Sequence, residues 1–384
     1  MSRVVKYGVY CAFVLSLFEC SCRLLLAWPF AADALFFDED LSWRRLWIRA
    51  HQHSTRLEYA FDIYDPTKGW LPKPNLRDVS VFGNKILNTN SRGIRGKTEY
   101  SYGKHENNVR ILLLGDSFTF GDEVSDNDTY AHYLQEMIPG AEIINMGVHG
   151  YGHDQMLILL EEEGVKYKPD IVLLGFVPID MSRNLLQFRS YAKPKFVVTS
   201  GNLQLTGSPV PLPEDVLKWD WTRPRLYDIS AIFAYKFKKS MGFKKEAEES
   251  VTTHIFNKII EVTTSIHATP IFVYLPTITD ITDAAPLPYG ETFLFSFCKT
   301  NSQARCFSAR PYFTVAAAQA TIVTPGGHWE PSGHLAAAKA IMCYLINDGK
   351  IILSESMKNI GCPPSSTGVS DLSSTSPLLG PRGL

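Results

Sequence analysis

The chain carries almost no excess of charge of either sign: across its 384 residues, 38 lysines and arginines face 39 aspartates and glutamates, leaving a formal net charge of -1. That balance removes the electrostatic reason to expect nucleic acid as a partner. Cys-x-x-Cys spacing is absent, as is any His-rich ligand pattern, so the common metal frameworks are not expected and no metal site is assigned. The phosphate loop G-x-x-x-x-G-K-[ST] is missing, and no G-x-G-x-x-G follows a strand pattern. Nucleotide cofactors therefore have no support, and none is expected. Long apolar runs are lacking as well, with one exception at the N-terminus. What is present is a 45% hydrophobic, 12% aromatic composition, enough to bury one large domain or two smaller ones.

The exception is Gly8–Phe30, apolar apart from Glu19, Arg23 and a few small polar residues, and preceded by Arg3 and Lys6. Its length suits a membrane span. Positive charge ahead of it predicts a cytoplasmic N-terminus and export of everything that follows. No small-x-small cleavage pattern comes after it, so residues 1–32 read as a retained signal anchor, with the catalytic domain extracytoplasmic, periplasmic or at the cell surface. Glu19 and Arg23 are costly in hydrocarbon, but their i, i+4 spacing lets them pair. The competing reading is an amphipathic helix docked on the globular part. Of the 7 cysteines, Cys11, Cys20 and Cys22 fall in this segment. Cys298 and Cys306 could close a small loop and Cys343 and Cys362 could form a second pair, but connectivity does not follow from sequence.

Residues 33–108 read as a connector followed by strand and loop decoration: Trp43, Arg44, Arg45 and Trp47 suit a helical or interfacial segment, and short runs at Val79–Phe82 and Lys85–Asn88 lie among Gly, Pro and Asn. From 109 to 350 the chain alternates strand and helix. Ile111–Leu114, Glu142–Met146, Asp170–Val177 and Pro270–Leu275 read as buried strands. Asp128–Met137, Asp154–Val165 and a stretch near Thr252–Ile266 read as helices. Such alternation predicts a parallel sheet covered on both faces, with right-handed crossovers. An insertion over about 190–245 is expected to be a hairpin plus loop. Residues 363–384, rich in Ser, Thr, Gly and Pro, are expected to be disordered.

The segment V-R-I-L-L-L-G-D-S-F-T-F-G, Val109–Gly121, runs an apolar strand into a sharp turn that puts Ser117 where ligands bind in open α/β sheets. Asp116 or Ser117 could equally be a plain helix cap. A nucleophilic serine needs a base and donors for a developing oxyanion. N-M-G-V-H-G-Y-G, with Gly147, Gly150 and Gly152, allows close backbone approach, and G-G-H-W-E-P-S-G-H puts His328 on a loop before an alanine-rich helix. His328 is the natural general base. His334, at the start of that helix, reads as structural. His149 and His153 flank the glycine loop and either line the pocket or are exposed loop residues.

Together these blocks resemble the SGNH (GDSL-like) hydrolase superfamily, over roughly Val109 to Ile346 in order and spacing. The resemblance implies a flavodoxin-like three-layer α/β/α fold with a mostly parallel five-stranded sheet. It further implies Ser117 as nucleophile, His328 as base, and the backbone N–H groups of Gly150 and Ser117 as oxyanion donors. The N-S-R-G-I-R-G run at Asn90–Gly96 is similar to a segment preceding the nucleophile in membrane-anchored members. The chain departs from the family pattern at two places: Ile179 stands where an oxyanion Asn is usual, followed by Asp180, and Pro325 and Gly326 stand where an Asp precedes the histidine. Asp180 or Asn184 are the auxiliary candidates, Asn184 as a replacement donor. Asp180, Glu330, Asp280 or Asp283 could back His328. The expected activity is serine ester hydrolysis of acyl esters, including O-acetyl esters on extracytoplasmic glycans. An O-acyltransferase with the same site, or a catalytically degenerate binding protein, are the alternatives.

Overall fold

The computed structural model describes residues 2–28, 40–51, 54, 56–57, 59–104, 108–282, 287–350 and 362. The expected tail over 363–384 and Asp283 lie outside the described residues. Along the chain come α1 (Arg3–Ala27), α2 (Asp40–Ala50), β1 (Asp62–Asp65), β2 (Gly69–Pro72), β3 (Val79–Val81), β4 (Lys85–Leu87), β5 (Val109–Gly115), α3 (Ser117–Phe120), α4 (Tyr130–Met137), β6 (Ala141–Gly147), α5 (His153–Glu162), β7 (Ile171–Phe176) and α6 (Ile179–Arg183). They are followed by β8 (Lys195–Thr199), β9 (Asn202–Thr206), α7 (Pro213–Asp220), α8 (Arg225–Ser240), α9 (Phe243–Ser265), β10 (Thr269–Tyr274), α10 (Ile278–Thr282), α11 (Tyr289–Thr300), β11 (Arg305–Ser308), α12 (Arg310–Ala317) and α13 (Pro331–Asn347). Two units share this chain: one takes Met1–Lys73, Gly152–Ile158 and Met181–Ile255, the other Pro74–Tyr151, Leu159–Asp180 and Phe256–Leu384.

The second unit holds a five-stranded sheet in the order β11-β10-β7-β5-β6, every pairing parallel. Counted along the chain this is the 2-1-3-4-5 order of flavodoxin-like sheets, whose switch point lies between the first and third strands. Alternation along the strands sorts the core into two layers. Ile111, Leu113, Ile143, Leu173, Ile271 and Val273 pack with Tyr130 and Leu134 of α4 and with Ala337, Ala340 and Ile341 of α13. On the opposite side Phe272 meets Phe256 of α9 at 4.8 Å and Phe297 of α11 at 5.8 Å between ring centroids. Strands buried on both faces explain the unbroken apolar runs of β5 and β7. The fifth strand, β11, is short and only half-buried, so its four residues give little periodic signal. Cys298 pairs with Cys306, joining α11 to β11, and Cys343 of α13 pairs with Cys362.

The first unit carries α1, 25 residues and about 38 Å long at helical rise, enough for a hydrocarbon core of roughly 30 Å. By length and composition it could cross a membrane. Glu19 and Arg23 do pair, at 2.7 Å, and they also reach α8. The Glu19 carboxylate accepts the N–H groups of Arg225 and Leu226 at 3.0 and 2.9 Å, and Arg23 donates to the carbonyls of Trp221 and Arg223. Pro224, at the N-cap of α8, offers no side-chain acceptor, so the carboxylate from α1 supplies the cap. Over 190–245 the hairpin is present as β8 and β9, antiparallel, but the expected loop is instead the two helices α7 and α8.

Candidate active site

Strand β5 delivers Gly115, and the chain turns at once into the single turn of α3. Asp116 is the cap here, its carboxylate accepting the Phe118 N–H at 3.0 Å. Ser117 is thereby released from capping and projects its hydroxyl to a different partner: Ser117 Oγ lies 2.9 Å from His328 Nε2. The end of β6 presses directly on this turn. A Cβ on Gly147 would stand 2.3 Å from the Phe120 nitrogen, so only glycine permits that approach. Asn145 donates to the Thr119 carbonyl at 2.9 Å, and the Val148 N–H donates to the Gly115 carbonyl at 3.1 Å. The loop leaving β6 contains Gly150, buried, at φ +72°.

His328 sits on a tight loop between Val323 and Trp329, which form a β-bridge. The Thr324 N–H donates to the His328 carbonyl at 2.8 Å. Trp329, fully buried, fixes the far side by donating its indole N–H to the Pro276 carbonyl at 3.1 Å, and its ring packs on Phe118 at 4.9 Å. Behind the imidazole stands a residue that sequence reasoning missed: Glu123 Oε1 is 3.2 Å from His328 Nδ1. The second Glu123 oxygen accepts the Thr324 hydroxyl. With Nδ1–H donating to this carboxylate, Nε2 is left as acceptor for the Ser117 hydroxyl, the tautomer a general base requires.

None of the carboxylates proposed to back His328 does so among the described residues. Asp280 accepts the Thr277 N–H and hydroxyl, Glu330 supplies the N-cap position of α13, and Asp180 is buried in the first turn of α6. The reason is steric as well as topological. A Cβ on Gly326 would lie 1.8 Å from Glu123 Oε1, so the carboxylate occupies the very space that a side chain at position 326 would need. Glu123 is held at φ +66°, a conformation rare for a side-chain-bearing residue and one tolerated where surrounding contacts impose it.

Those contacts come from Arg95, in the segment Asn90–Gly96. Its buried guanidinium donates to the carbonyls of Phe120 at 2.8 Å and Val124 at 2.7 Å, reaches that of Gly121, and bonds Asp126 at 2.9 Å. One side chain thus ties down the whole loop that carries Asp122 and Glu123. Asp122 is buried with a carboxylate oxygen 4.0 Å from His328 Nε2, and burial pushes its carboxyl up to about 6.

The remaining candidates divide by unit. Asn184 belongs to the first unit, where its amide donates to Thr252 Oγ1 at 2.9 Å, contacts His153 Nδ1 at 3.1 Å, and accepts the Asp154 N–H. Its hydrogen-bonding capacity is spent there, which corrects its assignment as a replacement oxyanion donor. Ile179, half exposed, has no side-chain donor to offer. His149 and His153 are both buried rather than exposed, and burial lowers His153 to about 3, keeping it neutral. His334 is buried and accepts the Tyr130 N–H at 3.3 Å, tying α13 to the start of α4. No group of three or more metal-ligating side chains occurs among the described residues.

No protein-family model matches the chain, and no curated protein matches it significantly. Solved structures do resemble it. A member of the lipolytic protein G-D-S-L family from Veillonella parvula aligns with TM-score 0.36 and 13% identity over 61% of this chain and 97% of its own. A catalytic mutant of an acetylxylan esterase from Geobacillus stearothermophilus gives TM-score 0.36 and 12% identity over 61% and 92%. An alpha/beta hydrolase enzyme from the metagenome of Lake Arreo, Spain, gives 0.39 and 11% over 66% and 99%. Likenesses at this level transfer no chemistry to this chain.

Proposed function

We propose that the chain is a serine ester hydrolase of SGNH type in which Ser117, His328 and Glu123 act as nucleophile, base and positioning carboxylate. The observation that carries this reading is the continuous relay from Ser117 Oγ to His328 Nε2 at 2.9 Å and from His328 Nδ1 to Glu123 at 3.2 Å. Ser117 Oγ attacks the acyl carbonyl as its proton passes to Nε2. The tetrahedral intermediate collapses with that proton delivered to the leaving alcohol, and water attacks the acyl-serine with His328 again as base. Glu123 holds the imidazole and stabilises its cationic form. The backbone N–H groups of Ser117 and Gly150 are the oxyanion donors. With Ile179 in place of the usual Asn the hole is one donor short, a loss typically worth about 10²–10³ in turnover.

The substrate class is an acyl ester, with O-acetyl groups on extracytoplasmic glycans as the specific reading, and α1 is the membrane anchor that holds the domain outside the cytoplasm. A serine-directed fluorophosphonate should label Ser117 stoichiometrically. Ser117→Ala and His328→Ala should each abolish labelling or short-chain aryl ester cleavage while leaving the unfolding temperature unchanged. A folded wild-type chain that neither labels nor cleaves would sink the reading.

A further inference from the structure

Outside the candidate active site, the first unit presents a surface that no described residue covers. Helix α8 buries Asp228 and Ile232, but its opposite side follows helical spacing through Ser230, Phe233, Phe237 and, just past its end, Met241. Phe233 and Phe237 are each 62% exposed. Trp219 and Trp221 on the preceding turn are 55% and 72% exposed, and Lys236, Lys238 and Lys239 interleave with the aromatic residues. Isolated apolar residues at a surface need no explanation, but an aromatic stripe flanked by lysines has the composition of a helix lying in a bilayer interface.

Its position fixes the occupant. Arg23 of α1 donates to the Trp221 carbonyl and Glu19 caps α8, so this stripe begins beside the last two turns of the helix that we read as the membrane anchor. At the same junction lies a cavity of about 400 Å³, walled by Leu26 and Ala27 at the end of α1 and by Arg23, Arg44, Arg45, Arg49 and Arg225 against two aspartates. Guanidinium groups at the end of a membrane span stand at headgroup level, where they meet lipid phosphate. We propose that α7 and α8 form a second membrane contact, lying on an anionic phospholipid surface with the tryptophans and phenylalanines in the interface and the arginine cavity receiving a headgroup phosphate. This rests on α1 being a membrane anchor.

The test uses the full chain in phosphatidylcholine vesicles doped with equal fractions of either bromo-acyl phosphatidylglycerol or bromo-acyl phosphatidylcholine. Tryptophan emission should be quenched about twofold more by the brominated anionic lipid. The conservative pair Trp219→Phe and Trp221→Phe should remove a large part of the quenchable emission, and Lys236→Glu, Lys238→Glu and Lys239→Glu together should equalise the two lipids. Equal quenching of wild type by both lipids would overturn the proposal. So would unchanged quenching in the tryptophan variant, or tryptophans at 219 and 221 open to aqueous acrylamide, which would leave the face to a protein partner. A chain that fails to float with vesicles at all would instead refute the anchor itself.

Discussion

The exchange between Gly326 and Glu123 is the sharpest feature at the scale of single residues. A carboxylate missing from one loop is supplied from another, and the glycine left behind is what makes room for it. Glu123→Ala is therefore expected to lower kcat by up to about 10⁴-fold, the loss seen when a base loses its orienting carboxylate. Gly326→Asp placed in that background should recover much of the loss, whereas Gly326→Asp alone should be impaired because the two side chains collide. Steady-state kinetics on an aryl acetate checks all three, and a Glu123→Ala enzyme of full activity would remove Glu123 from the mechanism. Asp122 gives a pH test. Burial raises its carboxyl from 3.8 to about 6, so the folded state binds the extra proton between those values and the contribution of Asp122 to stability falls as pH rises through that window. Asp122→Asn should thus gain stability relative to wild type at pH 7 compared with pH 4, by up to about 3 kcal/mol, read from urea midpoints. Ser117 and His328 were legible in the sequence because each sits beside a strand or helix boundary that local pattern announces. Glu123 was not, since a loop residue at positive φ has no periodicity, and its orientation depends on a guanidinium 28 positions upstream.

At the scale of elements, local pattern is enough for four of the sheet's strands and for the helices Tyr130–Met137, His153–Glu162 and Phe243–Ser265, and falls short for the rest. β5, β6, β7 and β10 are apolar enough on both faces to be read directly, while β11 is short and half-buried and was not placed. Helix α8 carries no start signal in its own sequence, because its cap arrives from Glu19, 206 residues away. The Asn90–Gly96 segment was noticed only by resemblance. Its physical role is that Arg95 satisfies three carbonyls and Asp126 in the loop behind Ser117. Arg95→Met would leave those carbonyls without their donor, and removing one partner from a buried charged network costs roughly 3–5 kcal/mol. The expected signature is twofold: a lower denaturant midpoint, and an activity loss under fully folding conditions that exceeds what the residual folded fraction explains. An Arg95→Met chain that keeps wild-type kcat below its unfolding transition would show that the loop holds Glu123 in place without the clamp.

For the whole molecule, the two disulfides and α1 bear on the same question from independent directions. Disulfides persist in oxidising compartments and are rare in a reducing cytoplasm, and Arg3 and Lys6 ahead of an apolar helix favour a cytoplasmic N-terminus with the rest exported. If both hold, chain synthesised with α1 should carry Cys298–Cys306 and Cys343–Cys362 closed, and alkylation without reductant followed by mass measurement should modify only cysteines outside those pairs. Chain lacking α1 and retained in the cytoplasm should expose all four as thiols. Opening the Cys343–Cys362 link, which closes a separation of 19 residues, should then lower stability by about 3 kcal/mol, because the unfolded chain regains the entropy that the bridge withheld. The comparison separates the causes: Cys343→Ala with Cys362→Ala, made in the exported chain, tests the bridge with the compartment held constant. Thiols found free at these four positions in the α1-bearing chain would place the parallel-sheet unit on the cytoplasmic side.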